Sequence, residues 1–249
     1  MSTMGFAPDL DSLTPGVIVD GNYFLPTRRG LRSLPTTLRT GLPQSEQRHV
    51  APFLYRTSRG EIELLFVVIG GNGTTRTIYA AKNNVHVEVT SPSSFVRQFC
   101  HFGKVILGAT EDGIIVRADD VNDAQFTAVT NSPKVRILFA AGGMLIGANG
   151  SLSKDGTTIA SGTDYWFASD EHNYSGWVPS TLAAPSTSVA AWGPLNSPAG
   201  AVVAGGPLGH RAVLYKRGSI FVGDYTGPVD KWLFPCVSDS VGCVGPDAL

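Results

Sequence analysis

Residues Val96–Ala109 read VRQFCHFGKVILGA, and residues Val135–Ala148 read VRILFAAGGMLIGA. The two stretches align without a gap, 39 positions apart. Both open on Val-Arg, carry a glycine at the centre (Gly103, Gly142) and close on Gly-Ala (Gly108-Ala109, Gly147-Ala148). Ser-Pro lies just upstream of each, as Ser91-Pro92 and Ser132-Pro133. Apolar residues fill both halves, and glycine supplies the positive φ that a tight hairpin needs, so each stretch reads as two antiparallel strands. Runs such as Val105-Ile106-Leu107 and Ile114-Ile115-Val116 are apolar at consecutive positions. A strand of that kind is covered on both faces, so sheet stacks on sheet.

A second element follows each hairpin. The stretches IIVRADDVNDAQF, YWFASDEHNYSGW and IFVGDYTGPVDKW each run from an apolar strand to an aspartate (Asp119, Asp170, Asp224) and then to an aromatic (Phe126, Trp177, Trp232). The aspartate-to-aromatic spacings are 7, 7 and 8, and successive aspartates stand 51 and 54 apart. The aspartate is expected to cap the turn that leaves the strand by accepting backbone N–H groups. The aromatic is expected to plug the gap to a neighbouring unit, where a large ring buries much area. Four strands per unit at a period of about 40–55 residues is the mark of β-propeller blades.

The sequence therefore predicts an all-β fold, a β-propeller of four-stranded antiparallel blades preceded by an extended N-terminal arm. The arm is residues 1–49, and the blades fill 50–249, at about 50–90, 91–131, 132–184 and 185–238. Hairpin turns fall at Lys82-Asn83-Asn84, Glu111-Asp112-Gly113 and Lys216-Arg217-Gly218. SLSKDGTTIASG (151–162) reads as an insertion in the third blade, and WGPLNSPAGAV (192–202) as a long turn in the fourth. The closing SDSVGCVGPDAL has the content of one more strand without a partner. The expectation is a propeller completed by the arm, by a second chain or by downstream sequence.

Composition narrows the function. The 249 residues are 43% hydrophobic and 16% charged, which favours a packed core over disorder. A net charge of −1 argues against a basic nucleic-acid binder held by phosphate contacts, though not against a protein that surrounds DNA. Cys100, Cys236 and Cys243 form no CxxC pair, which suits free thiols in a reducing compartment; a Cys236–Cys243 bridge is the minor alternative. The N-terminus lacks a basic start followed by an apolar core, so no secretory signal is expected. No run approaches the roughly 18 apolar residues of a membrane helix.

Candidate chemistry is sparse. His49, His86, His101, His172 and His210 show no metal-ligand spacing. Cys100 and His101 are neighbours, and neighbours in a strand point apart, so they make no nucleophile–base pair. Asp119, Asp120, Asp123, Asp170 and Glu171 lack the order of a calcium loop. Gly70-Gly71-Asn72-Gly73 reads as a hairpin turn and not as a phosphate cradle. SKDGTT (153–158) approximates the sialidase Asp-box, with its glycine one residue early and Ile159 where no tryptophan appears. No catalytic residue, cofactor or metal is expected. In the arm, Val17, Ile18 and Val19 read as a strand, Tyr23, Phe24 and Leu25 as an apolar anchor, and Arg28, Arg29 and Arg32 as a basic cluster for a partner or DNA.

Two signatures resemble a known family. TPGVIVDGNYFLPTRRGLRSLPT carries Pro15-Gly16, Asp20, Asn22, Leu25-Pro26, Arg29-Gly30 and Pro35. GSIFVGDYTGPVDKWLFPCVSDSVGCVGPDAL carries Gly223-Asp224-Tyr225, Gly227-Pro228, Trp232, Ser238 and Val241-Gly242-Cys243. Together they resemble the opening and the blade ending of the β-propeller tail nozzle, or tail-hub, proteins of short-tailed bacteriophages. The resemblance implies a virion structural protein made in the host cytoplasm. It implies a homo-oligomer, a sixfold ring below the portal and adaptor, with double-stranded DNA passing along the axis and fibres or spikes attached around it. The family's members are commonly longer than this chain. Two other readings stay open: a propeller glycosidase or sialidase-like depolymerase, and a propeller scaffold that binds peptides.

Overall fold

The structure is a computed structural model. It describes residues 96–119, 126–178, 188–228 and 231–245 in full, and the backbone of the strands that precede them. The chain divides into two compact units, Met1–Leu42 and Pro43–Leu249. The first unit holds β1 (Gly5–Phe6) paired in parallel with β2 (Val17–Ile18), and a hairpin of β3 (Phe24–Thr27) and β4 (Gly30–Ser33). The arm expected to be extended thus contains two short strand pairs. Pro26 fits the hairpin because a two-stranded ribbon is all edge, where a missing N–H need not break a ladder.

The second unit is a run of antiparallel sheets in chain order. The first is β5 (Arg48–Arg56), β6 (Ile62–Ile69), β7 (Arg76–Lys82) and β8 (Val85–Val89). The second is β9 (Val96–Phe102), β10 (Val105–Thr110), β11 (Ile115–Ala118) and β12 (Thr127–Ala128). The third is β13 (Lys134–Ala141), β14 (Met144–Lys154), β15 (Thr157–Ala168) and β16 (Ala191–Pro194). The fourth is β17 (Val202–Leu208), β18 (Arg211–Lys216), β19 (Ile220–Gly227) and β20 (Lys231–Leu233), with β21 (Cys236–Ser238) also pairing β19. The leading strands β5, β9, β13 and β17 neighbour one another in succession, so each meander is a blade whose first strand packs beside the next blade's first strand.

The apolar runs are covered on both faces. In β14, Leu145 belongs to a core shared with the second blade, through Leu107, Ala109 and Ile115. Its neighbours Met144 and Ile146 belong to a core shared with the fourth blade, through Ala212, Leu214 and Phe221. All three are fully buried. A period-2 strand with two apolar faces has one physical solution, which is a sheet on either side.

The aligned repeat has a packing cause. Gly103 and Gly142 take φ of +62° and +58° in the first hairpin turn of their blades. A Cβ on Gly108 would lie 2.6 Å from Val96 Cγ1, and one on Gly147 would lie 2.8 Å from Val135 Cγ1. Each repeat valine thus fills the slot left by its own repeat glycine, and both valines are buried.

Two expectations are revised. The third blade reaches Pro194 and does not end at 184, because Ala191–Pro194 pairs with Tyr165–Ala168. Gly193 makes this possible, since a Cβ there would crowd the Trp166 indole at 3.2 Å. Residues 195–201 are therefore the connection between blades. SLSKDGTTIASG is not an insertion but the elongation of the β14–β15 hairpin, closed by Asp155 and Gly156 at φ of +50° and +80°. Positive φ at both central residues is what a two-residue Asp-Gly hairpin turn requires.

Candidate functional site

Trp177 and Trp232, of the three aromatics that the Asp–aromatic spacing singles out, stand in cores shared between blades, whereas Phe126 is buried against its own blade. Phe126, Trp177 and Trp232 are 1%, 1% and 3% exposed. Phe126 lies against Phe99 of its own blade, with ring centroids 6.0 Å apart. Trp177 belongs to the core that joins the second and third blades, and its indole N–H donates to Tyr174 O at 2.7 Å. The same loop bridges the seam from outside, since the Arg117 guanidinium donates to the Tyr174 hydroxyl and lies 5.3 Å from its ring centroid. Trp232 belongs to the core that joins the third and fourth blades, stacks on Phe234 and contacts Met144 Sδ at 3.1 Å.

The three aspartates share a place in the repeat but not a role. Asp170 accepts from the backbone N–H of Glu171 at 3.3 Å and of Val189 at 2.8 Å, and so ties the strand exit to the return chain. Asp119 instead pairs with Arg117 at 3.1 Å, and Asp224 with Arg211 at 2.8 Å. Both are half-exposed ion pairs of the kind that contributes well under about 1 kcal/mol. Capping was expected at all three. An arginine two residues upstream of Asp119, and one across the ladder from Asp224, engages those carboxylates.

Lys216 is a group that sequence reasoning missed. It is 2% exposed at the end of β18, and its ammonium donates to Leu195 O and, at 2.6 Å, to Pro198 O. It also lies 5.2 Å from the Phe221 ring centroid. It thereby pins the connection between the third and fourth blades. Desolvation lowers its pKa below the ordinary lysine value, while the charge of Asp164 works the other way. A lysine before Arg-Gly in a hairpin carries no signal of burial, so the sequence could not single it out.

Among the described residues, the nucleophiles and ligands of the sequence reading do not converge. Cys100 is buried, and desolvation pushes its thiol up to about 12, whereas the adjacent His101 is exposed. Cys236 and Cys243 are both free; their thiols donate to Ser238 O and Gly245 O. The His172 imidazole lies 3.7 Å from Glu171 and its backbone N–H donates to Gly143 O at 2.9 Å, and His210 is exposed. Among the described residues, no three His, Cys, Asp or Glu side chains gather as a metal site would need, and no helix is long and apolar enough to cross a membrane. Val17, Ile18, Phe24, Leu25 and Arg32 stand on strands whose side chains lie outside the described residues. Val19, Tyr23, Arg28, Arg29, Asp120, Asp123 and Gly70–Gly73 lie wholly outside them, as do the side chains of His49 and His86.

The trailing edge is the other feature with functional content. β20 and β21 follow one another along the same side of β19. Leu233, Val237, Val241 and Val244 are 54%, 58%, 59% and 82% exposed. Cys236 is exposed between them. Beyond β21 the chain folds back on the β18–β19 turn, where the Cys243 N–H donates to Lys216 O at 2.9 Å.

No protein-family model matches the chain, and no curated protein matches it. Solved structures similar to it include human WBSCR16, at 12% identity and a TM-score of 0.39, over 66% of this chain and 45% of that one. They also include HIRA(644-1017), at 12% identity and a TM-score of 0.39, over 77% of this chain and 57% of that one. The chain spans about half the length of these two structures. The blade architecture rests on the strand pairing and seams described above.

Proposed function

We propose that this chain is a tail nozzle or tail-hub subunit of a short-tailed bacteriophage. In this reading it is a virion structural protein without catalytic activity. Copies assemble into a ring, sixfold as in the family it resembles, around the path of the double-stranded DNA. The ring sits below portal and adaptor proteins and carries fibres or spikes.

The observation that carries the reading is the apolar trailing edge. Scattered exposed hydrophobics are ordinary, but here four stand within residues 233–244, two of them on the outer strands of the last blade. An outer strand with exposed apolar side chains invites pairing with another chain. A ring of heterologous contacts needs two different complementary surfaces on each copy. The trailing edge supplies one. The arm, with Val17–Val19 and Tyr23-Phe24-Leu25, supplies the other by strand addition to a neighbouring copy. Arg28, Arg29 and Arg32 then face that partner or the DNA path. A net charge of −1 suits a conduit that DNA must traverse without adhering.

The test compares the full chain with a variant lacking residues 1–45 and with a Leu233→Asp/Val237→Asp variant, by light scattering coupled to size exclusion. The full chain is expected to form a closed oligomer and both variants to remain soluble monomers. A full chain that stays monomeric at high concentration, or a truncated chain that still closes into rings, sinks the proposal.

A further inference from the structure

A cleft of roughly 410 Å³ opens where the second and third blades meet. Its floor is the start of β13 with the adjoining part of β14. One wall is the Glu111-Asp112-Gly113 turn, and the other is Ser161–Thr163 on the long β14–β15 hairpin. The wall and floor are fixed to each other, since the Val135 N–H donates to Gly113 O at 2.8 Å. Asn149 holds the rim through a 2.9 Å bond to Val202 O. The volume is at the lower end of the range for small-molecule sites, about 300–1,000 Å³.

The lining carries two cations, two carboxylates and three hydroxyls. Lys134 and Arg136 are exposed and alternate with buried Val135 and Ile137, so both cations stand on the same face of β13. Lys134 is the register partner of Ser151, and Ser151 of Ser161, which aligns an ammonium and two hydroxyls in one cross-strand row. Glu111 is committed to Arg97 at 2.9 Å. Asp112, Lys134, Arg136, Ser151, Ser161 and Thr163 line the cleft and take no side-chain hydrogen bond or ion pair from the described residues.

We infer that this cleft binds a polyhydroxylated anion, a sugar bearing a carboxylate or a phosphate. The two cations are donors without acceptors and match one oxyanion with charge-assisted hydrogen bonds. Hydroxyls donate and accept, and a carboxylate only accepts, so Ser151, Ser161, Thr163 and Asp112 together match the hydroxyls of a sugar ring. A simple anion gains nothing from Asp112 and is repelled by it. A neutral sugar leaves both cations unused. An apolar ligand strips water from charged groups without replacing it. A DNA backbone, whose phosphates are its main contact, meets the acidic Glu111-Asp112 turn.

The experiment is calorimetric titration of the full chain with glucuronate, glucose 6-phosphate, glucose, inorganic phosphate and a short DNA duplex. At least one of the two anionic sugars is expected to bind, with glucose and inorganic phosphate each about tenfold weaker or more. Preference for glucuronate assigns the carboxylate form, and preference for glucose 6-phosphate the phosphate form. Lys134→Ser/Arg136→Ser and, separately, Asp112→Asn are each expected to weaken binding about tenfold. Both should leave the unfolding midpoint unchanged, because the three side chains are exposed. Inorganic phosphate binding as tightly as the sugars overturns the inference. So does sugar binding that ignores both variants, or DNA binding in place of sugar binding. Absence of binding by either anionic sugar up to about 50 mM also overturns it, since a built site holds its ligand better than that. Ring assembly is read separately, so failure here leaves the proposed function standing.

Discussion

Gly147→Ala asks whether the repeat glycines exist to house the repeat valines. The added Cβ would stand 2.8 Å from Val135 Cγ1 and 3.3 Å from Cγ2. Valine is stiff at χ1 and this one is 1% exposed in a filled core, so it has little room to turn away. Overpacking of that kind costs about 1–3 kcal/mol. Against this, alanine restricts the unfolded chain more than glycine, which stabilises by about 0.4–1 kcal/mol where the backbone is permissive. The net expectation is a loss of about 1 kcal/mol, or roughly 2–4 °C in melting temperature for a domain of this size. Val135→Ala alone removes two buried methyl groups and should cost about 2–3 kcal/mol. In that background the nearest contact of the new Cβ is the Cβ of residue 135, at an ordinary 3.4 Å. The steric term vanishes and the entropic one remains, so Gly147→Ala should then stabilise by about 0.5 kcal/mol. Urea unfolding of the four proteins in this cycle measures the coupling directly. Reversal of sign between backgrounds supports the account, and Gly108→Ala with Val96→Ala should repeat it. Equal destabilisation in both backgrounds refutes it.

Trp177→Ala removes the buried ring at the seam of the second and third blades together with its bond to Tyr174 O, and should cost about 3–5 kcal/mol in urea unfolding. Trp177→Phe, which keeps most of the ring, should cost clearly less. Lys216 titrates below the ordinary lysine value of 10.5 when folded, so between its folded and unfolded values the unfolded chain holds more protons. Wild type should therefore gain stability relative to Lys216→Met as pH rises through that window toward 10.5, and a flat or falling difference counts against a desolvated ammonium. Iodoacetamide at neutral pH should label exposed Cys236 quickly and leave Cys100, buried and raised to about 12, untouched until unfolding, as read by mass spectrometry of peptides.

How far the sequence reached depends on which physics is local. Blades were legible because strand alternation and turn glycines are local signals. Gly103 and Gly142 announce hairpins, and Val105-Ile106-Leu107 announces a strand between two sheets. The aromatics Phe126, Trp177 and Trp232 were legible as buried because each stands at the same place in the repeat, closing a loop rich in polar residues. The aspartates were less so, because whether a carboxylate caps a turn or pairs depends on what stands across the ladder. Arg211 reaches Asp224 only once β18 and β19 are paired. The extent of the third blade was hidden for a similar reason. Ala191–Pro194 is short and lies beyond a long loop, and its membership depends on Gly193 accommodating the Trp166 ring. Lys216 and the cleft at Lys134 and Arg136 arise from juxtapositions across blades, which no window of sequence contains.

In the proposed function, copies of this chain close into a ring around a DNA path. Electron microscopy of the assembled full chain, and of the particles that contain it, reads this out. An annular particle of identical subunits with an open axial channel, placed on the axis of a short tail, is the expected result. Isolated monomers at high protein concentration, and particles with no axial ring of this chain, would rule it out.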